Sequence, residues 1–252
     1  MMAGIRDILI ISTPLDLPRF QTLLGGGAQF GIALQYAVQD EPNGLAEALL
    51  IGETFLNGSP STLILGDNIF YGFGLVDRLA AADTSPGATI FGYRVHDPER
   101  YGVIEFDESK NAVSLEEKPT RPKSQYAATG LYFYDAHAPD YARQLIPSAR
   151  GELEITDLNR CYLDAGNLGV QLLQRGTAWL DTGTVESLMQ AAQFVEAIQT
   201  RQGTVIACLE EIALASGWIA PAEIASRIDR LGKGPYATYL KTLLITGASH
   251  AD

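Results

Sequence analysis

The chain has 252 residues, of which 30 are acidic and 18 basic, so its formal net charge is −12. Hydrophobic residues make up 46% and charged residues 19%, which argues against a disordered chain and allows a sizeable core. The acidic balance argues against a general affinity for nucleic acid or anionic membranes, so any phosphate ligand needs a local site. We expect a cytoplasmic protein, because no apolar run approaches the ~18 residues of a membrane span and no signal peptide is recognisable.

Strands and helices alternate along the first hundred residues. The predicted strands are 8–11, 32–39, 62–65 and 88–95, and the predicted helices are one between Asp16 and Gly25, then 45–55 and 75–82. Alternation at this spacing predicts right-handed crossovers. The fold class is therefore Rossmann-like α/β, with a mostly parallel sheet flanked by helices.

The pattern changes after residue 100. Segments 103–106 and 112–116 flank a polar turn and predict a hairpin, and the aromatic strand 126–134 follows, so we expect antiparallel additions to the sheet. Further along, the pattern predicts a helix at 155–163, a strand at 170–173, and a helix at 185–198 whose apolar stripe is core or subunit contact. We expect a core of residues 1–203 and a helical C-terminal extension, 204–252, packed on it.

Two aspartates follow short predicted strands. Asp67 comes after the apolar run 63–65, and Asp181 comes after Trp179 and Leu180. Ligands of open parallel sheets bind beyond the carboxyl ends of the strands, and two such carboxylates could share one Mg²⁺. An aspartate in this position can equally be a turn residue or a helix cap, so this pattern alone leaves both interpretations open.

Two other polar segments could bind a ligand. Glu117 and Lys118 close the predicted hairpin, where a carboxylate and an ammonium could hold a sugar hydroxyl and its phosphate. The alternative is a solvated strand end. Gln39 and Gly44 could receive a flat base, since Gln39 offers a donor and an acceptor, or Gly44 could serve only a tight turn.

Six motifs occur together in this chain. They are LGDNIFYG at 65–72, DPERYGV at 97–103, SLEEKP at 114–119, GLYFYD at 130–135, RGELEITD at 150–157 and AWLDTGT at 178–184. In this order they resemble the glucose-1-phosphate thymidylyltransferases, sugar nucleotidyltransferases that begin dTDP-rhamnose synthesis. The resemblance runs from about residue 3 to about residue 212, and it implies a fold of the nucleotide-diphospho-sugar transferase type.

The resemblance implies a reaction and a set of roles. Glucose 1-phosphate would attack dTTP with Mg²⁺ to give dTDP-glucose and pyrophosphate, and the chain would form a homo-oligomer, a tetramer in relatives. The implied roles are thymine recognition by Gln39 and Gly44; Mg²⁺ binding by Asp67 and Asp181; sugar-phosphate contacts by Tyr101, Gly102 and Gly130; glucose hydroxyl binding by Glu117; phosphate binding by Lys118; and a metal-side wall formed by Trp179. Asp67 would also contact the nucleotide, and Lys118, Asp67 and Asp181 would be the catalytic residues.

One family motif does not occur in these 252 residues. Relatives begin with a buried strand and a phosphate-cradling loop of the form G-G-x-G-T-R-L, and this chain resembles them only from the second strand onward. We therefore expect an N-terminally truncated form without the first strand and the loop. The alternative function is an inactive remnant that binds sugar nucleotides or associates with a full-length homologue. Use of UTP, CTP or ATP in place of dTTP stays open. The chain is a poor match to a dinucleotide-dependent oxidoreductase, because no G-x-G-x-x-G motif follows a predicted strand.

Overall fold

The protein is described by a computed structural model that covers residues 1–82 and 86–247. Its strands are β1 (Asp7–Ser12), β2 (Ala33–Val38), β3 (Ser61–Ile64), β4 (Asn68–Tyr71), β5 (Ala88–Arg94), β6 (Gly102–Phe106), β7 (Ala112–Glu117), β8 (Tyr126–Tyr134), β9 (Leu168–Leu172) and β10 (Ala178–Asp181). Its α-helices are α1 (Leu17–Leu24), α2 (Glu47–Ile51), α3 (Glu53–Leu56), α4 (Leu75–Ala80), α5 (Ala138–Gln144), α6 (Ile155–Asp164), α7 (Val185–Gln202), α8 (Leu209–Ala215), α9 (Pro221–Leu231) and α10 (Pro235–Thr246). Within the described ranges, no helix is long and apolar enough to span a membrane.

Most of the predicted strands and helices are found in the structure. The differences are one predicted helix that is divided at a glycine and two elements that were not predicted. The predicted helix at 45–55 is divided into α2 and α3 at Gly52, which ends the first helix and starts the second. Two elements are missed by sequence reasoning. Strand β4 begins only four residues after β3 ends, and α5 has a proline in its first turn, where a missing N–H costs no hydrogen bond.

The chain divides into two compact units. The first unit comprises Met1–Tyr36, Tyr71–Ala80 and Leu180–Asp252, and the second comprises Ala37–Phe70 and Ala81–Trp179. The predicted boundary after residue 203 falls within the first unit. The predicted 204–252 extension stays a prediction, and its last five residues, 248–252, lie outside the described residues.

The second unit is built on a mixed sheet with the strand order β7-β6-β8-β5-β9, and β3 also pairs with β8. The parallel pairing that the alternation predicts is found between β5 and β9. Strand β8 instead runs antiparallel to β3, β5 and β6, and β6 and β7 form the predicted hairpin. The α/β class is confirmed, but antiparallel pairing takes a larger share of this sheet than predicted, because the nine-residue β8 serves three partners.

The core of the second unit joins this sheet to α2, α5 and α6. The ring of Tyr134 on β8 is fully buried and stacks on Tyr162 of α6 at a centroid distance of 5.6 Å. The Tyr134 hydroxyl donates to Asn159 Oδ1 at 2.7 Å, so the buried phenol has a partner. This packing fixes α6, and therefore the residues at its N-terminus, against the strands that carry the candidate site.

The first unit contains β1, most of its partner strand β2, and helices α7 to α10. Helix α7 begins with a capping box in which Thr184 and Ser187 satisfy each other's backbone N–H groups. Its apolar stripe is not core at the N-terminal end, because Val185, Leu188 and Met189 are 78%, 57% and 60% exposed. A role for these three side chains in subunit contact stays a prediction.

Candidate active site

Nine of the ten residues predicted to form the site lie in the second unit, and Asp181 lies in the first. The nine are Gln39, Gly44, Asp67, Tyr101, Gly102, Glu117, Lys118, Gly130 and Trp179. They form three groups, one around the end of β3, one at the base of the β6–β7 hairpin, and one before α2. Contacts connect the first two groups.

The first group is organised by Asn68, the first residue of β4, which follows Asp67 at the end of the turn after β3. The Asn68 side-chain amide donates from Nδ2 to Asp67 Oδ1 at 2.7 Å. Its Oδ1 accepts from the indole Nε1 of Trp179 at 2.6 Å and from the backbone N–H of Gly130 at 3.2 Å. One half-buried side chain therefore connects three of the predicted site residues.

Trp179 forms an aromatic wall beside this group. It is 8% exposed, and its ring lies 5.1 Å from the ring of Tyr101 and 5.7 Å from that of Tyr93, measured between centroids. The guanidinium of Arg100 lies 5.4 Å from the Tyr101 ring centroid, in cation–π range. These contacts hold the indole in one orientation, and the wall that it forms suits the apolar face of a sugar ring.

The second group lies at the start of β6 and the end of β7. The backbone N–H of Lys118 donates to the carbonyl of Tyr101 at 3.0 Å, which joins this group to the aromatic wall. Glu117 Oε2 accepts from Thr156 Oγ1 at 2.6 Å, and its Oε1 lies 3.6 Å from Lys118 Nζ and 3.7 Å from Arg150. The Glu117 carboxylate is thus held by one hydroxyl and flanked by two cations.

Lys118 has a backbone conformation that is unusual for a side chain with a Cβ. Its φ is +44°, in the left-handed region, which costs a residue other than glycine roughly 1–3 kcal/mol. Strain of this kind concentrates at functional sites, where the surrounding structure maintains it. Here the hydrogen bond to Tyr101 is part of that support, and the Lys118 side chain is half exposed, at 50%.

Two glycines leave room for functional side chains. A Cβ at Gly102 would lie 2.8 Å from Thr156 Oγ1, and a Cβ at Gly130 would lie 2.6 Å from Asn68 Oδ1. Both distances are shorter than van der Waals contact, so any larger residue would displace the polar side chain above it. Gly102 and Gly130 therefore support the site sterically, in addition to the ligand contacts that the sequence resemblance implies.

The third group is formed by Gln39 and Gly44. The Gln39 amide donates to the Gly44 carbonyl at 3.2 Å and to Glu47 Oε2 at 2.6 Å. Gly44 has a φ of +107°, and a Cβ there would lie only 2.4 Å from the Leu153 carbonyl oxygen. A close approach of two backbone segments therefore explains this glycine by itself, and its predicted contact with a base stays a prediction.

Acidic and basic side chains both occur in the candidate site, and their charges affect the pKa values of neighbouring groups. Burial, together with the negative charges of Glu117 and Asp67, raises the pKa of the buried Tyr132 phenol well above its ordinary value. Arg150 Nη2 donates a hydrogen bond to Glu154 Oε2 at 2.9 Å, and this contact raises the pKa of the Arg150 guanidinium. Arg150 therefore keeps its charge close to Glu117.

The predicted metal ligands are of the chemical type that magnesium uses. Asp67 is exposed at the end of a strand, and Asp181 Oδ1 accepts from the Gly183 N–H at 3.0 Å. Among residues 1–82 and 86–247, no group of three or more His, Cys, Asp or Glu side chains is arranged to hold a metal ion. Magnesium commonly takes one or two carboxylates and completes its shell with water and substrate phosphate, so these donors fit it.

Comparison with known proteins identifies the family. The sequence profile described as nucleotidyl transferase matches residues 1–198. The glucose-1-phosphate thymidylyltransferase of Xanthomonas campestris pv. campestris (strain B100) is 58% identical over 251 residues, which are 99% of this chain and 85% of that protein. This chain belongs to the nucleotidyltransferase family. Within that enzyme family it is a member of the glucose-1-phosphate thymidylyltransferases, so the resemblance drawn from its motifs is confirmed.

Solved structures support the same family fold. A Bacillus anthracis protein, provisionally named a glucose-1-phosphate thymidylyltransferase and solved with sucrose, is 39% identical, with a TM-score of 0.67 over 74% of this chain and 75% of that chain. A UDP-glucose pyrophosphorylase complexed with UDP-glucose has a TM-score of 0.62 at 21% identity, covering 78% of this chain and 83% of that one. The second likeness concerns the fold alone. Together they confirm the predicted nucleotide-diphospho-sugar transferase fold.

Sequence reasoning assigns no role to three residues that hold this family site together. Asn68, Thr156 and Arg150 all lie inside the motifs that carry the resemblance. Each contacts a predicted ligand-binding carboxylate, Asp67 in the first case and Glu117 in the other two. The motifs show that these polar residues are present. A linear pattern does not reveal which of them contact the predicted ligand-binding carboxylates.

Proposed function

We propose that this chain transfers a thymidylyl group from dTTP to glucose 1-phosphate. A phosphate oxygen of glucose 1-phosphate attacks the α-phosphorus of dTTP and forms the new P–O bond. The bond from the α-phosphorus to the bridging oxygen breaks, and pyrophosphate leaves with that electron pair. The products are dTDP-glucose and pyrophosphate, and the reaction would serve dTDP-rhamnose or deoxysugar synthesis in the cytoplasm.

One observation carries this proposal. A continuous chain of contacts runs from Asp67 through Asn68 to Trp179, from the Trp179 ring to Tyr101, and from the Tyr101 carbonyl to Lys118. These contacts connect the residues that carry a carboxylate, an aromatic wall and an ammonium. This is the equipment that phosphoryl-group chemistry needs, since the protein mainly positions reactants and offsets charge.

The residues of the second unit have distinct tasks in this proposal. Lys118 binds the phosphate of the sugar and offsets its repulsion from the triphosphate. Glu117 accepts hydrogen bonds from glucose hydroxyls while Thr156 holds its other oxygen. The ring of Trp179 excludes water from one side of the sugar. Gln39 and Gly44 receive the thymine, and the Gln39 amide is already oriented by Glu47.

Magnesium would be held by Asp67 of the second unit together with the substrate phosphates, and metal binding by Asp181 of the first unit stays a prediction. When bound, it supplies positive charge that stabilises the negative charge developing on the phosphate oxygens. Asp67 meets this requirement with a carboxylate that is exposed and already oriented by Asn68. Homo-oligomer formation is a further part of the proposal, to which the exposed side chains at the start of α7 could contribute.

The proposal is tested by product formation with the full chain. Glucose 1-phosphate, dTTP and Mg²⁺ are incubated with the protein, and dTDP-glucose is separated by anion-exchange chromatography while pyrophosphate is measured in a coupled assay. Both products are expected in equal amounts, and both should disappear when Mg²⁺ is chelated. Replacing dTTP by UTP in parallel reactions measures how strictly thymine is preferred.

Two variants and a matched control make this test specific. Lys118→Ala and Asp67→Asn are expected to lower turnover by at least about 100-fold. The first removes a cation that offsets phosphate repulsion, and the second removes a ligand of the Mg²⁺ that does the same. Lys123→Ala removes a lysine that pairs with Glu105 in the hairpin at 3.3 Å, and it should retain turnover. If calorimetry detects dTDP-glucose binding but neither product forms, the chain is a sugar-nucleotide-binding remnant and the proposal is wrong.

A further inference from the structure

We propose that Asn68 is a positioning residue that sets the orientation of both the Asp67 carboxylate and the Trp179 wall. This inference rests on the proposed function, because it assigns Asp67 to the metal and Trp179 to the sugar. It adds a residue that acts through two others without needing to contact a substrate. The argument depends on the amide chemistry of the side chain, on its fixed orientation, and on the space that surrounds it.

The orientation of the Asn68 amide follows from its partners. The indole Nε1 of Trp179 and the backbone N–H of Gly130 are both donors, and neither can accept a hydrogen bond. The atom that meets them must therefore be the amide oxygen. The NH₂ group is consequently directed to Asp67, whose carboxylate oxygen Oδ1 accepts its hydrogen bond.

The space around Asn68 is limited on the side of β8. A Cβ at Gly130 would lie 2.6 Å from Asn68 Oδ1 and 2.8 Å from its Cγ. The missing side chain at Gly130 thus gives the amide room to lie against the strand and to accept from its backbone. A displaced amide would lose all three hydrogen bonds together, because they depend on the same position of one planar group.

No other side chain of similar size supplies the same pair of functions. Aspartate at position 68 would keep an acceptor for the indole but would bring a second carboxylate to the 2.7 Å contact with Asp67. Leucine has nearly the same shape and offers neither donor nor acceptor. These two substitutions therefore separate the tasks, since the first removes only the donor and the second removes both.

The experiment measures each task with its own signal. The chain has two tryptophans, so its ¹⁵N–¹H spectrum contains two indole resonances, and Trp218→Phe assigns the one that belongs to Trp179. Manganese affinity, measured by electron paramagnetic resonance with Mn²⁺ as the only ligand, reports on the Asp67 carboxylate. Turnover of glucose 1-phosphate and dTTP gives kcat and KM separately.

Asn68→Leu is expected to shift the Trp179 indole resonance and to weaken Mn²⁺ binding about 10–100-fold, the usual effect of removing a partner of a metal ligand. Asn68→Asp should leave the indole resonance in place while kcat falls about 10–100-fold. Asn111→Asp is the matched control, because Asn111 Nδ2 also donates to an aspartate, Asp107, at 3.1 Å in the exposed hairpin turn. That control should match the unaltered chain in every measurement.

The outcomes distinguish this inference from the proposed function. An unchanged indole resonance and unchanged Mn²⁺ affinity in Asn68→Leu would overturn the positioning role, even if turnover fell. Full turnover in Asn68→Asp would overturn the role of the amide donor, and it remains decisive if Asn68→Leu does not fold. If the unaltered chain makes no dTDP-glucose, the proposed function fails, while the indole and Mn²⁺ measurements still decide the role of Asn68.

Discussion

Gly102 lies directly opposite Glu117 in the β6–β7 pair, and the Thr156 hydroxyl occupies the space above it. A Cβ at position 102 would lie 2.8 Å from Thr156 Oγ1 and 3.4 Å from Glu117 Oε2. The hydrogen bond between these two side chains therefore exists because residue 102 has no side chain. This relationship links a backbone requirement in one strand to the carboxylate proposed to bind the sugar.

Gly102→Ala is predicted to weaken both the use of glucose 1-phosphate and the stability of the fold. The added methyl group must displace Thr156, and overpacking of this kind costs about 1–3 kcal/mol of stability. Loss of the hydroxyl bond leaves Glu117 misoriented, so we expect kcat/KM for glucose 1-phosphate to fall about 10–100-fold. Steady-state kinetics and urea unfolding measure the two effects.

A matched glycine serves as the control for that substitution. A Cβ at Gly26 would meet nothing within 4 Å, and Gly26→Ala should change neither measurement appreciably. Normal kinetics in Gly102→Ala would mean that the Thr156–Glu117 contact is not needed for sugar binding.

The Thr156 hydroxyl is predicted to act through Glu117. Thr156 is 2% exposed, and its Oγ1 donates to Glu117 Oε2 at 2.6 Å. Thr156→Val keeps the shape and removes the donor, and a hydrogen bond to a charged group contributes about 1.5–3 kcal/mol. We expect kcat/KM for glucose 1-phosphate to fall about 10–100-fold, whereas Thr156→Ser keeps the hydroxyl and should recover most of the activity. Full activity in Thr156→Val, together with a loss in Thr156→Ser, would show that the shape of the side chain, not the hydroxyl, matters.

The backbone conformation of Lys118 is predicted to lower the free energy of unfolding, whereas its ammonium is predicted to be needed for turnover. Its φ of +44° strains any residue with a Cβ, and Lys118→Gly removes that strain. We expect Lys118→Gly to be about 1 kcal/mol more stable than Lys118→Ala, while both lose turnover because both lack the ammonium. Urea midpoints compare the two variants, and a less stable glycine variant would contradict the argument from backbone strain.

The fold and part of the site can be predicted from sequence because their signals are local. The aromatic strand at 126–134 coincides with β8, since its pattern of buried residues continues through the whole segment. Antiparallel additions are expected from the sequence, but the three partners of β8 could not be predicted, because β8 meets β3, β5 and β6 through contacts between residues far apart in the chain. Local patterns determine that a strand forms, whereas its neighbours depend on the packing of the whole sheet.

The same limit applies to the roles of single residues. Gly44 could be predicted as a turn or a base contact, but the 2.4 Å approach of its missing Cβ to Leu153 involves a residue more than a hundred positions away. Asn68 is adjacent to Asp67 in the sequence, and yet its partners Gly130 and Trp179 come from β8 and β10. A motif shows that polar residues are present, and the tertiary structure determines which of them hold others in place.

The buried tyrosines of the second unit are predicted to make the protein sensitive to alkali. Burial raises the pKa of Tyr134 well above its ordinary value, and the neighbouring Tyr132 and Tyr162 raise it further. The unfolded chain releases this proton near pH 10, whereas the folded chain retains it, so the unfolded state binds fewer protons above that pH. Stability should thus be complete below about pH 10 and should fall by about 1.4 kcal/mol per pH unit for such a tyrosine as the pH rises further.

Tyr134→Phe tests this prediction. At pH 8 the variant should be about 1–3 kcal/mol less stable, because Asn159 Oδ1 loses its buried donor. Between about pH 10 and 11.5 its stability should decline less steeply than that of the unaltered chain, by about 1.4 kcal/mol per unit, since one proton fewer is retained on folding. Urea unfolding across this range measures both, with Tyr36→Phe as a control for losing a hydroxyl that bonds the Gly25 carbonyl at the surface. Equal slopes for Tyr134→Phe and the unaltered chain would mean that Tyr134 does not titrate with unfolding, and that the alkaline sensitivity has another source.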